Sequence, residues 1–313
     1  MEQAKIVSAK EASSGQPLTL YRLALDMHGC ATESEMNSNF FATLKRGYTP
    51  IMDYLGKFSG TVSLVGAGPS IKETYKELKV DVIAINSAIG WLLDKGVVPK
   101  FAMLWDAADI VENFAIPHPG IIYLVGSRCH PKVFDRLKDC KVIVWHAGGD
   151  HNINQMIIDH GINEPLVNGG SAGITRGMFL VRALGYDDLH IFGADSSYEG
   201  DSTHVNGSLV PEKDIMVSIG CDPPMFFRTT PEWCAQVEEF RAIYAIYSFE
   251  KVSVKVYGKG MLPEMYKRLS QEKEKLGLEK LLKKCHQQEI ERQELNLKAS
   301  QSTQPLEVSN AGI

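Results

Sequence analysis

The residues with chemistry to offer stand at the ends of apolar runs. Gly66-Ala67-Gly68-Pro69-Ser70 directly follows Thr61-Val62-Ser63-Leu64-Val65. A strand that ends in a glycine turn and opens a helix exposes free N–H groups at the positive end of the helix dipole, which suits a phosphate. Gly66 and Gly68 allow close backbone approach and unusual backbone angles, Pro69 fits a first helical turn, and Ser70 adds a hydroxyl. Asn168-Gly169-Gly170-Ser171-Ala172-Gly173 is a second glycine-rich helix start, with Ser171 as its expected N-cap. Two such starts could clamp one polyphosphate.

Between and beyond them lie polar strand ends. Asn86-Ser87 follows Val82–Ile85, so Asn86 could read a base or ribose while Ser87 contacts ligand or caps the next helix. Asp106 ends Phe101–Trp105 and is suited to holding Mg²⁺ through water or to hydrogen-bonding a ribose. Asp195 and Tyr198 follow the run Leu189–Phe192, with His204 six residues after Tyr198. Asp195 is a further strand-end carboxylate, and His204 could serve as general base or phosphate ligand. Arg128 could neutralise a phosphate. His118, His130, His146, His151 and His160 have no ligand-like pairing, although His146 and His151 flank a stretch that could line the same crevice. Position 71 holds Ile71, so a three-glycine dinucleotide fingerprint is incomplete, and no Gly-Lys-Ser/Thr makes a P-loop.

The elements that must position these residues alternate. Residues 62–65, 82–85, 101–105, 121–125, 142–145 and 189–192 are short continuous apolar runs, the pattern of strands covered on both faces of a parallel sheet. Helical segments over 69–79, 87–95, 131–138 and 171–184 separate most of them. The expected fold is α/β, a doubly wound and mostly parallel Rossmann-like sheet with helical N- and C-terminal extensions. The expected units are an arm and helical cap over 1–57, a nucleotide-binding domain over 58–260, and a charged C-terminal helix with a disordered tail over 261–313. Within the domain, 196–230 reads as a long loop or small insertion that could act as a lid, and a helix starts near Pro231 with Thr229 or Thr230 as cap. Its stripe Trp233, Val237, Phe240, Tyr244 and Tyr247 reads as core. Residues 252–257 alternate like an edge strand. In the last helix Leu262, Leu269, Leu276, Ile290 and Leu297 share a register that Lys283 interrupts, which suits edge docking or a homo-oligomer contact better than a strict coiled coil.

Composition removes several classes. The net charge of −5 gives no global pull toward nucleic acid or membrane surfaces. Six cysteines are scattered without CxxC spacing, as thiols of a reducing compartment would be. The N-terminal stretch has no apolar core of a secretory signal, and no run reaches the ~20 residues of a membrane span. A cytoplasmic location is expected.

The order GAGPS, NSAI, the aspartate after FAMLW, GGSAG and GADSSY followed by a histidine resembles the 6-hydroxymethylpterin diphosphokinase-like (MptE-like) Rossmann family over about residues 58–205. The same order is similar to a group of bacterial sialyltransferases and motility accessory proteins of flagellin glycosylation. The first resemblance implies transfer of a diphosphoryl group from ATP with Mg²⁺. In it Gly66, Gly68, Ser70, Gly170 and Ser171 bind phosphate, and Asp106 and Asp195 contact metal or substrate. The second implies transfer of a sugar from a CMP donor with His204 as base. Where the family often carries Asp-Leu, this chain has Asp195-Ser196. The expected function is a nucleotide-dependent transferase acting on a small hydroxyl acceptor. A glycosyltransferase and a non-catalytic nucleotide-binding or assembly protein are the alternatives.

Overall fold

The apolar runs are continuous because both faces of each strand are covered. Along Val82–Ile85 the side chains alternate between two cores, Val82 and Ala84 in one and Ile83 and Ile85 in the other. Phe101–Leu104 do the same. Burial of each Val, Ile, Phe, Met or Leu side chain among them contributes about 1.5–3 kcal/mol. The structure, a computed structural model, describes residues 31–79, 81–148, 151–207, 214–220 and 223–276, with Gln287, Ile290 and Glu291.

The chain runs α1 (Glu33–Arg46), β1 (Thr49–Pro50), β2 (Thr61–Val65), α2 (Ile71–Thr74), β3 (Asp81–Ile85), α3 (Ala88–Asp94), β4 (Phe101–Leu104) and β5 (Ile122–Gly126). It continues through α4 (Pro131–Arg136), β6 (Lys141–Ala147), α5 (His151–Asp159), β7 (Leu166–Val167), α6 (Gly173–Leu184) and β8 (Asp188–Phe192). Then come β9 (Ile215–Ile219), β10 (Met225–Thr229), α7 (Pro231–Phe249), β11 (Ser253–Val256) and α8 (Met261–Leu276). The main sheet has the order β1-β6-β5-β4-β3-β2-β8-β11, with β7 also on β6, and every pairing in it is parallel. This is the doubly wound α/β arrangement that the alternating runs imply.

Chain order reverses at β2, which has β3 on one side and β8 on the other. That is the switch point, where the carboxyl ends of an open parallel sheet leave a crevice. GAGPS leaves β2 and Gly193–Tyr198 leaves β8, so both face it.

Several local expectations shift. The helix after β2 is short: α2 passes into a 3-10 turn over Tyr75–Glu77. Of the two readings for 196–230, the insertion holds: β9 and β10 form an antiparallel hairpin within it. Residues 49–50 of the expected cap enter the main sheet beside β6. Thr230 caps α7, its hydroxyl accepting from Trp233 N–H at 3.3 Å, while Thr229 donates its hydroxyl to Ser196 O at 2.7 Å. The edge strand over 252–257 is β11, paired with β8. In α8, Leu262 and Leu269 are buried. Leu297 and the tail 299–313 lie outside the described residues. Among the described residues no helix is long and apolar enough to cross a membrane.

Candidate functional site at the switch point

The GAGPS turn is held from the neighbouring strand's end. Gly66 N–H donates to Phe192 O at 2.9 Å and Gly68 N–H to Gly193 O at 2.8 Å. A Cβ on Gly66 would stand 2.5 Å from Gly193 O and 3.0 Å from Ile174 Cδ1; one on Gly68 would stand 2.8 Å from both Gly193 O and the Asp195 carboxylate. Neither glycine is among the residues with positive φ. Close approach of β8's loop and of α6 is what requires them, rather than an unusual backbone angle.

Ser70 and Asp195 form one unit. Ser70 N–H donates to Asp195 Oδ2 at 2.7 Å, and its hydroxyl donates a short hydrogen bond to Oδ1. The carboxylate therefore sits at the start of α2, where the sequence places a phosphate. Pro69 lies two residues ahead of α2 rather than in its first turn. Burial pushes the Asp195 carboxyl up to about 6, against the two Ser70 hydrogen bonds that favour its charged form. Asp195 is only 5% exposed, and the start of α8 closes over it: Leu262 N–H donates to Asp195 O at 3.2 Å. A Cβ on Gly258 would meet the Ser70 side chain, and Lys259 pairs with Glu73 at 2.8 Å.

The second glycine-rich start is also capped from within. Gly169 and Gly170 have φ of +92° and +73°, the left-handed region glycine permits. Ala172, not Ser171, is the N-cap of α6. Ser171 N–H instead donates to both oxygens of Glu239, at 3.0 and 2.9 Å, and Thr175 Oγ1 lies 2.9 Å from Glu239 Oε2. So the two expected phosphate sites each hold a carboxylate of this chain.

Asn86 ends β3 with φ +45°, strained for a residue with a side chain. Its Oδ1 accepts from Trp105 N–H at 3.1 Å, tying the β3 end to the β4 end. Ser87 makes no side-chain cap bond to α3. Its carbonyl accepts from Asn206 Nδ2 at 3.5 Å, and Val205 N–H donates to Ala67 O at 2.8 Å. These bonds fold the segment after β8 back over the ends of β2 and β3, bringing His204 to the crevice. His204 Nδ1 lies 3.0 Å from Thr203 Oγ1, and burial holds its imidazole below the usual histidine range, in the neutral form. Its ring stands 6.5 Å from that of Trp233, which meets Tyr198 edge-on at 5.5 Å. The Arg228 guanidinium covers Tyr198 at 4.4 Å.

Residues 38–201 match the family 6-hydroxymethylpterin diphosphokinase MptE-like, over half of the chain. The chain belongs to the MptE-like family. Among solved structures it is similar to the MAf glycosyltransferase of Magnetospirillum magneticum AMB-1, at 17% identity and a TM-score of 0.50, over 75% of this chain and 40% of that one. The likeness is one of fold, and this chain spans less than half of that protein. A protein from Lactobacillus plantarum aligns at 13% identity over 64% of this chain and 62% of its own, with a TM-score of only 0.25. No curated protein matches.

In this MptE-like chain Asp106 follows β4, two strands from β2 and directly after Trp105, whose ring centre lies 4.9 Å from the Arg176 guanidinium. Its Oδ1 accepts from Ala108 N–H at 3.0 Å, and burial raises its carboxyl. Among the described residues no three His, Cys, Asp or Glu side chains group as metal ligands. Arg128 is taken up by α1, donating to Glu33 and Asn37, each at 3.0 Å. Trp233 packs partly buried against the core, as its stripe implies, and sequence reasoning passed over Glu239 and Arg176. Of these, Arg176 left a signal: it is a charge near the start of α6, flanked by Ile174, Met178 and Leu180. Glu239 left none, because only the packing of α7 onto α6 brings it to Ser171.

Proposed function

We propose that this MptE-like protein is a nucleotide-dependent transferase that moves a group from a nucleoside phosphate to a small hydroxyl acceptor. The observation that carries the reading is the docking of the His204 segment across the ends of β2 and β3, through Val205 on Ala67 and Asn206 on Ser87. It sets a neutral imidazole beside the strand ends of a switch-point crevice, where nucleotides bind in open α/β sheets. With Nδ1–H donating to Thr203 Oγ1, Nε2 takes the acceptor's proton as the hydroxyl attacks. The nucleotide's phosphates lie toward Gly169, Gly170 and Ser171, and Asn86 and Tyr198 flank the nucleoside.

Family membership supports the diphosphokinase form, with ATP as donor. One carboxylate at Asp106 fits a Mg²⁺ that takes its other ligands from water and phosphate, which is how Mg²⁺ is commonly bound. Bound there, the ion would neutralise phosphate charge. Asp195 lies outside this chemistry, because Ser70 engages both of its oxygens. The placement of His204 favours a second reading, a glycosyltransferase with a CMP-sugar donor, in which the same histidine deprotonates the acceptor.

A donor screen tests the proposal. ATP with Mg²⁺, CMP-sugars and other nucleotides are offered with hydroxyl acceptors, and release of AMP, CMP or diphosphate is followed. AMP release with transfer supports the diphosphokinase form, CMP release without ATP supports the glycosyltransferase form, and no binding of any nucleotide by calorimetry overturns both.

A further inference from the structure

Among the described residues Arg176 is a buried cation without an ion pair. It is 7% exposed, four residues into α6. One terminal nitrogen donates to Gly148 O at 2.9 Å and Val167 O at 2.6 Å, and the guanidinium lies 4.9 Å from the Trp105 ring centre. Its Nε–H is buried with no hydrogen-bond partner among the described residues. Among the described residues no carboxylate comes within ion-pair distance of it. A guanidinium withdrawn from water on these terms is costly to hold. The acid whose charge reaches it is Glu239.

Glu239 is itself misplaced for a structural acid. It comes from the flank of α7 and covers Ser171 N–H and Thr175 Oγ1, the donors at the start of α6. Val167, which holds the guanidinium, is at the base of the glycine loop that carries Ser171. Donor groups and helix dipole thus meet where a single half-buried carboxylate stands, and the charge of that carboxylate reaches the buried cation.

We propose that the α6 start is a phosphate site in which Glu239 is a resident anion, leaving Ser171 and Thr175 when a phosphate enters, with Arg176 as the buried cation that favours the exchange. This rests on the nucleotide-dependent reading and adds its regulation: the site is self-occupied when empty, so affinity is set by how readily α7 releases Glu239. A phosphate group offers more acceptor oxygens and more charge than the carboxylate it replaces, to the same N–H and hydroxyl.

The test uses the full chain, inorganic pyrophosphate, and ATP or a CMP-sugar as titrants in calorimetry. Glu239→Gln removes the competing charge and keeps an acceptor for Ser171. It should bind pyrophosphate at least about threefold more tightly than the parent chain, as expected when a competing anion is lost. Arg176→Met should bind it about tenfold more weakly, the effect of one charge-assisted contact. Glu239→Gln carries the test alone if Arg176→Met does not fold. If nucleotide binds the parent chain but Glu239→Gln leaves pyrophosphate affinity unchanged or weaker, the exchange is wrong and the nucleotide reading stands. If neither pyrophosphate nor nucleotide binds the parent chain or Glu239→Gln, both fall.

Discussion

Ser70 gives both its backbone N–H and its hydroxyl to the carboxylate of Asp195, a residue 125 positions later in the chain. The pair joins the ends of β2 and β8 across the switch point, and it fills the start of α2 with the protein's own negative charge.

That pair has a pH signature. Asp195 is protonated up to about pH 6 in the native state and ionises near 3.8 when unfolded. The native state therefore holds the extra proton between those values, and stability falls as pH rises through that window, by at most roughly 1 kcal/mol per pH unit. Asp195→Asn cannot ionise and should lack this component. Urea unfolding of both chains from pH 4 to pH 7 checks it; identical pH slopes would show that Asp195 is not held protonated.

A second buried group acts in the opposite direction. His146 is fully buried, with Nδ1 unpartnered among the described residues and Nε2 3.4 Å from both Glu164 Oε2 and Tyr48 Oη. Burial lowers its imidazole to about 4, so it is neutral at pH 7 and the Glu164 contact is not an ion pair there. Unfolding lets it take a proton, so native stability falls as pH drops from about 6.5 toward 4, by roughly 3 kcal/mol in total. His146→Gln should flatten that acid limb in the same unfolding series.

Gly66→Ala should destabilise the fold by about 2 kcal/mol or more, because its Cβ would meet a backbone oxygen that cannot move without shifting β8's loop. Thermal melting reads this directly. A melting temperature within a degree of the parent would mean the turn is looser than its packing implies.

His204→Gln should lower turnover by about 10²–10⁴-fold with the fold intact, the usual range for a lost general base. Because burial depresses the imidazole, the parent chain's rate should stay flat on lowering pH until below the ordinary histidine value near 6.5, then fall. A pH–rate profile that is the same in parent and variant would remove His204 from the proton transfer.

Much of this protein is determined locally. The continuous apolar runs such as Val82–Ile85 and Phe101–Leu104, the glycine turns and the cap at Thr230 announce a doubly wound parallel sheet, because runs, turns and caps are each written in residues a few positions apart. The candidate positions at the strand ends were legible for the same reason. Their partners were not. Whether the α2 and α6 starts face solvent, ligand or a carboxylate depends on Asp195 and Glu239, which arrive from 125 and 68 residues along the chain. Likewise Trp233 fits a core stripe by its spacing, yet only the return of the β8 segment sets its ring beside His204. The sequence by itself determined where anions could bind. The tertiary structure decided that the protein's own carboxylates stand there, since only long-range packing can bring a charge to a helix start.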